Sequence, residues 1–254
     1  MGWERGASAV TERWRRTAGA RRAIAGQWVR TRRWPLAWMT GYAAGLIVLG
    51  YVVLDRPLAF WLKSRMGGDF EGFLKTVTHL GLGGVWLIPS GLLVVAIMLA
   101  WRAAPLLETR ARLARAAWVP GFVFLSVAIS GLLNLLIKTL VGRTRPRLLF
   151  DESIYGFVPF THTYVTNSFP SGHSQAAFAA MTALTLVFPR YDIAFIAVAV
   201  LVAASRVLTT VHFLSDAVMG AWLGVVVTVM LHRLLVRHGI DVRLRFGRDR
   251  RLVE

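Results

Sequence analysis

The chain has 254 residues, of which 56% are hydrophobic and only 17% charged, a balance that excludes an ordinary soluble domain, where about a quarter of residues carry charge. It contains no cysteine, which excludes a disulfide framework and any thiolate metal or redox site. The formal charge of +17 would suit nucleic acid through counterion release at phosphates. The arginines, however, flank apolar segments instead of forming one basic face, which points to anionic lipid headgroups and away from nucleic acid.

Residues 1–33 are arginine-rich, with Trp3, Trp14 and Trp28 interleaved. The first apolar run begins too far from Met1 for a secretory signal. This stretch therefore reads as a basic cytoplasmic N-terminal arm, either amphipathic on the membrane surface or disordered. Six apolar segments follow, at 34–54, 73–101, 118–140, 174–188, 191–211 and 213–236, each expected to cross a hydrocarbon core of about 30 Å. The fourth is short and only Pro189–Asp192 separates it from the fifth, so these two are expected to form a tight helical hairpin. The expected fold class is all-α, a six-transmembrane-helix bundle over 34–236, with a basic cytoplasmic tail at 237–254. Gly41 and Gly45 form a GxxxG pair in the first span, expected to pack helices within the monomer.

Taking the connecting segments alternately, 21 of the 30 basic residues fall on one side and 9 on the other. Positive charge stays inside, so both termini are expected in the cytoplasm. Three polar segments then share the extracytoplasmic side: Lys138–Pro146, Pro170–His173 and Ser205–Asp216. An even number of crossings separates them, which lets them meet in one site.

Ionisable groups at membrane depth are costly and usually functional. A phosphoryl group in transfer carries spread negative charge, and positioning with electrostatic stabilisation supplies most of the rate. Lys138 offers a point charge, while Arg145 and Arg206 offer planar two-pronged donors. Ordinary snorkelling is the competing reading for Lys138 and Arg145. Ser171 and Gly172 open an apolar helix whose free N–H groups suit an anion. Ser171 can act there as N-cap, as phosphate ligand or as both, and His173 follows as a possible proton donor. His212 and Asp216 stand four apart, so they are expected to share one face of a helix. A carboxylate beside an imidazole fixes its tautomer; taken alone, the pair reads better as a polar contact that stabilises helix packing, and its companions in the other segments turn the reading towards catalysis.

These segments resemble the type 2 phosphatidic acid phosphatases, the PAP2 superfamily. Its pattern is a lysine, six residues and Arg-Pro; Pro-Ser-Gly-His; then Ser-Arg, five residues, His, three residues and Asp. Lys138 to Arg145-Pro146, Pro170 to His173, and Ser205-Arg206 through His212 to Asp216 match it in order and spacing. Thr144 stands where many members have a second proline, with little effect expected. The resemblance, over roughly residues 34–236, implies roles. His212 would be the nucleophile, Asp216 would orient it, and His173 would be the general acid. Lys138, Arg145, Ser171, Gly172 and Arg206 would bind phosphate. No metal and no cofactor are implied. Arg143 and Arg147 are expected at most to reinforce the anion site. His79, His162, His232 and His238 are expected to be structural or surface residues.

The function implied is a metal-independent lipid phosphate phosphatase in a membrane, expected to be the bacterial inner membrane, acting through a phosphohistidine at the extracytoplasmic face. Candidate substrates are undecaprenyl diphosphate, phosphatidate, phosphatidylglycerophosphate and lipid A phosphates, with a lean towards undecaprenyl diphosphate or broad glycerolipid specificity. The alternatives are a phosphotransferase using a lipid or sugar hydroxyl, a vanadate-dependent haloperoxidase, and a non-catalytic lipid-binding relative. Nothing in the sequence sets the oligomeric state.

Overall fold

The computed structural model describes residues 35–243 except His162. The arm at 1–33 with its three tryptophans, His162 and the tail beyond Arg243 lie outside these residues. Residues 1–42 and 43–254 divide into two compact units, and the core and the site belong to the second.

Apart from one isolated bridge between Arg143 and Phe157, the regular structure among the described residues is helical. Helix α1 (Pro35–Leu49) runs through a π-helical turn (Gly50–Leu54) into α2 (Asp55–Arg65). Next come α3 (Gly68–Val77), a 3₁₀ turn (Thr78–Gly81) and α4 (Gly83–Ala103). The long α5 (Leu107–Val141) leads to the short α6 (Pro146–Glu152). After a loop come α7 (Gly172–Val187), α8 (Asp192–Leu208) and α9 (Leu214–Arg237).

Among the described residues, five helical stretches are long and apolar enough to cross a bilayer: 36–65, 68–103, 107–141, 189–208 and 214–237. The sixth expected crossing is α7, which has only 16 residues. A helix of that length spans about 24 Å at 1.5 Å per residue. Its position explains how so short a helix is accommodated: α9, α8 and α5 all pack against it, so protein surrounds it.

Small residues make that sheath tight. Ala176, Ala177, Ala179, Ala180 and Ala183 of α7 are all buried. A Cβ at Gly220 would lie 2.4 Å from the Ser171 carbonyl oxygen, and one at Gly224 would lie 2.5 Å from that of Gln175. The backbones of α9 and α7 therefore touch, which is how helices associate where lipid offers no hydrophobic drive. This second GxxxG pair does the packing expected of the first. At Gly45 a Cβ would meet no atom within 4 Å, which corrects that expectation.

Two boundaries move outward from those read in the sequence. The first span continues through the π turn to Arg65, so Asp55 lies inside a continuous helix instead of beyond its end. Helix α5 starts at Leu107, well before residue 118. Glu108 in its first turn suits the positive helix end and pairs with Arg112, and Arg110 Nε donates to the Ala104 carbonyl at 2.8 Å. The expected hairpin of the fourth and fifth spans is present, closed by a 3₁₀ turn at Pro189–Tyr191.

Candidate active site

Lys138 sits in the last turn of α5. Gly142 ends that helix with a left-handed φ of 58°, its N–H donating to the Lys138 carbonyl at 2.9 Å. A Cβ there would lie 1.8 Å from the Val158 carbonyl oxygen, so only glycine fits the turn. The chain from Arg143 to Arg145 then pairs with the following loop. Thr144 N–H donates to Gly156 O at 3.0 Å, Arg145 N–H to Val165 O at 2.8 Å, and Ser168 N–H to Arg143 O at 2.9 Å. A proline at 144 would forfeit the first of these bonds. Thr144 also accepts from the Gly156 N–H through its hydroxyl at 3.1 Å.

Ser171 is the N-cap of α7. Its hydroxyl accepts from Ser174 N–H at 3.4 Å and from the Ser174 hydroxyl at 3.0 Å. Its own N–H donates to the Asp216 carbonyl at 2.9 Å, which ties the start of α7 to α9. Gly172 and His173 are the first residues of the helix. A Cβ at Gly81 would lie 2.8 Å from the His173 Cβ, so the 3₁₀ turn before α4 closes directly over that histidine.

Arg206 lies in the last turn of α8. The chain reverses at Thr210, whose φ is 52°. Val211 and His212 then both donate their N–H groups to the Arg206 carbonyl, at 3.2 and 3.1 Å. Phe213 is the N-cap of α9, and Asp216 reaches back so that its Oδ2 accepts from the Phe213 N–H at 2.9 Å. His212 thus precedes the helix. This corrects the expectation of a shared helix face: the pair is brought together by a capping carboxylate and the turn before it.

All eight residues expected at the site gather at one end of the bundle. Lys138 Nζ donates to the Asn167 carbonyl at 2.5 Å, and Arg145 Nη2 to the Asn167 side-chain oxygen at 2.9 Å. The Arg145 guanidinium also lies over the Tyr164 ring, 4.1 Å from its centre. Arg206 donates to the Thr78 hydroxyl at 2.9 Å. The charges of Arg206, Arg145 and Lys138 all reach the ring of His173. Each cation is held by a neutral acceptor, so its charge stays available to an anion.

His212 is buried. Its Nδ1 stands 3.7 Å from Asp216 Oδ2 and 3.4 Å from the Ser168 hydroxyl, which donates to the same carboxylate oxygen at 2.6 Å. Burial drives the His212 pKa down to about 3; Asp216 opposes the shift, while Arg145 and Lys138 add to it. The ring is therefore neutral at neutral pH. Burial also opposes the protonated state of Arg145, whose pKa lies below that of a free guanidinium although Tyr164 and Asp216 act against the shift.

Several residues at the site were not singled out in the sequence. Asn167 and Ser168 are polar loop residues just before the Pro-Ser-Gly-His segment, and nothing but that position signals them. Arg143 does not reinforce the anion site. Its buried guanidinium bonds Asp216 Oδ1 at 2.5 Å, Asp55 Oδ2 at 2.7 Å and the Tyr155 hydroxyl at 2.9 Å. Arg147 is exposed and pairs with Asp151 at 3.3 Å. His79 and His238 are exposed, each ring bonded to a carbonyl of its own segment, and the His232 ring lies tilted against Phe122 with centroids 5.9 Å apart.

A family model described as the PAP2 superfamily matches residues 120–240. A lipid A 1-phosphatase of Rhizobium johnstonii is 31% identical over 80% of this chain and 87% of its own length. One from Rhizobium etli is 34% identical over 75% of this chain and 82% of its own. The fold is similar to a crystal structure of a transmembrane PAP2-type phosphatidylglycerolphosphate phosphatase from Bacillus subtilis, with a TM-score of 0.58 at 20% identity over 80% of this chain and 97% of the other. It is also similar to Aquifex aeolicus LpxE, with a TM-score of 0.52 at 19% identity over 71% of this chain and 96% of the other. The protein is an integral-membrane lipid phosphatase, and the chain belongs to the PAP2 superfamily.

Proposed function

We propose that this phosphatase removes a phosphate from lipid A at the extracytoplasmic face of a bacterial inner membrane, through a phosphohistidine on His212. One observation carries the reading: Lys138, Arg145 and Arg206 are held by neutral acceptors around two histidines, at one end of an apolar bundle. The lipid A 1-phosphatases of the two Rhizobium species, similar over most of their length, favour lipid A over undecaprenyl diphosphate and the glycerolipid phosphates.

The chemistry follows from the atoms. The phosphate oxygens occupy the cradle of Lys138, Arg145, Arg206, Ser171 and the Gly172 amide, where positive charge and helix-end N–H groups converge. His212 Nε2 attacks phosphorus while Asp216, steadied by Ser168, supports the charge that develops on the ring. His173 protonates the departing lipid oxygen. It then takes a proton from the water that attacks phosphorus, which frees His212 and releases inorganic phosphate. With the cationic arm and tail in the cytoplasm, their arginines rest on anionic headgroups of the inner leaflet.

The test is phosphate release by purified protein in detergent with EDTA present, across lipid A, phosphatidylglycerophosphate, phosphatidate and undecaprenyl diphosphate. The expected result is the highest kcat/KM on lipid A, and a phosphoprotein that survives alkali but not acid. Turnover undiminished in His212→Ala would remove the mechanism, and a clear preference for another lipid would remove the substrate assignment.

A further inference from the structure

The carboxylate of Asp55 is 1% exposed and belongs to α2, far in sequence from the three motifs. Burying such a charge is costly unless it is fully partnered, and here it is. Asp55 Oδ1 accepts from the Ser215 N–H at 3.1 Å, while Oδ2 accepts from the Ser215 hydroxyl at 2.5 Å and from Arg143 Nη2 at 2.7 Å. Arg143 extends its other arm to Ser215 Oγ and to Asp216 Oδ1, both at 2.5 Å. One guanidinium thus bridges two carboxylates, and the second of them faces His212.

Local structure is shaped to place this aspartate. Asp55 directly follows the π-helical turn at Gly50–Leu54, a distortion that shifts the side chains after it and recurs at functional sites. Gly50, the first residue of that turn, is where α9 comes closest: a Cβ there would lie 3.0 Å from the Ser215 Cβ. The Arg143 guanidinium is enclosed by the rings of Phe213, Tyr51 and Tyr155, 4.5, 5.0 and 5.4 Å from their centres. These rings exclude water and deny Arg143 other anionic partners. Its neighbouring carboxylates raise the Arg143 pKa above that of a free guanidinium against the opposing effect of burial.

We infer that Asp55 is a positioning residue for the phosphatase reaction: through Arg143 it holds the Asp216 carboxylate against His212. The inference rests on the His212 reading above. Asp216 alone would be neutralised by Arg143, leaving little negative charge for an imidazolium. Asp55 shares that cation, so the cluster of Asp55, Arg143 and Asp216 keeps a net negative charge facing the ring. The charged groups around His212 are otherwise Arg145 and Lys138, both positive, which makes this balance decisive for the charge that forms on the ring during attack.

The test is Asp55→Asn in the full-length protein in detergent. The expected result is a fall in kcat of about tenfold to hundredfold, the scale on which partners behind a functional ligand act. KM should be unchanged, because no phosphate-binding cation is touched. The rate of phosphoenzyme formation should fall with kcat, and the acid limb of kcat should move to lower pH as the imidazolium loses support. In an Arg143→Gln background the same substitution should no longer lower kcat, since the connection is already cut. A wild-type kcat and pH profile in Asp55→Asn would overturn the inference, as would an undiminished effect in the Arg143→Gln background. Should Asp55→Asn fail to fold, Ser215→Ala removes one donor from Asp55 without changing charge. It should lower kcat severalfold at constant KM, and unchanged kcat there would be equally fatal. Failure of the underlying reading looks different: activity would then persist in His212→Ala.

Discussion

His212 Nδ1 and Asp216 Oδ2 stand 3.7 Å apart, with the Ser168 hydroxyl wedged beside both at 3.4 and 2.6 Å. The imidazole and its carboxylate are thus coupled in part through a third residue that belongs to none of the three motifs. Ser168→Ala should leave the carboxylate freer to turn and lower kcat about fivefold, the worth of roughly 1 kcal/mol of hydrogen bonding. Steady-state phosphate release against substrate concentration checks this, with KM expected to stay within about twofold.

Asn167 is expected to act on binding instead. It accepts from Lys138 through its carbonyl and from Arg145 through its side chain. Asn167→Ala keeps the first bond and loses the second, so Arg145 is no longer aimed. KM should rise severalfold while kcat falls less, the signature of lost ground-state binding.

The pH behaviour of His212 follows from its burial. With a folded pKa of about 3 against an ordinary 6.5, the ring binds no proton in the folded state across the interval where the unfolded chain takes one up. Stability from this residue is therefore full above pH 6.5 and is lost progressively as pH falls towards 3. The apparent Tm of wild type in detergent should drop over that interval more steeply than that of His212→Gln. Parallel curves would show that the ring is not buried in neutral form.

Thr210 carries a φ of 52° in the turn that places His212 over Arg206. For a β-branched residue that conformation is strained by about 1–3 kcal/mol. Thr210→Gly should fold, retain activity and raise the apparent Tm by a few degrees. A fall in Tm would show that the strain is absent.

The two GxxxG pairs make opposite predictions. Gly220→Ala would push a methyl to 2.4 Å from the Ser171 carbonyl, prising α9 from the start of α7. Overpacking of this kind costs about 1–3 kcal/mol, and the displaced N-terminus should cut activity at least tenfold. Gly45→Ala meets nothing within 4 Å and should leave both Tm and turnover unchanged.

What could be read in the sequence was whatever is local. Lys138 to Pro146, Pro170 to His173 and Ser205 to Asp216 each lie in one short stretch, and their apolar flanks told which end of a span they occupy. The relation of His212 to Asp216 was misjudged because a spacing of four implies a helix face only inside a helix, and Phe213 is the cap where α9 begins. The pairing of Arg143 with Asp55 was hidden for another reason. They meet across 88 positions, and Asp55 reaches Ser215 across 160, so only the folded bundle reveals that they share a charge. The first span also appeared to stop at residue 54, which set Asp55 outside the membrane and hid the expense of an acid at that depth.

The short α7 carries one further implication, for assembly. Sixteen residues with a polar first turn make a poor anchor in lipid, and the close backbone companion that shelters this helix, α9, is synthesised after it. Until α9 is inserted, the serine and histidine at the head of α7 lack the close packing partner that fixes them. A nascent chain halted between α7 and α9 would already hold Lys138 and Arg145 and yet lack Asp216. The helix that completes the shelter of α7 is also the one that delivers Asp216.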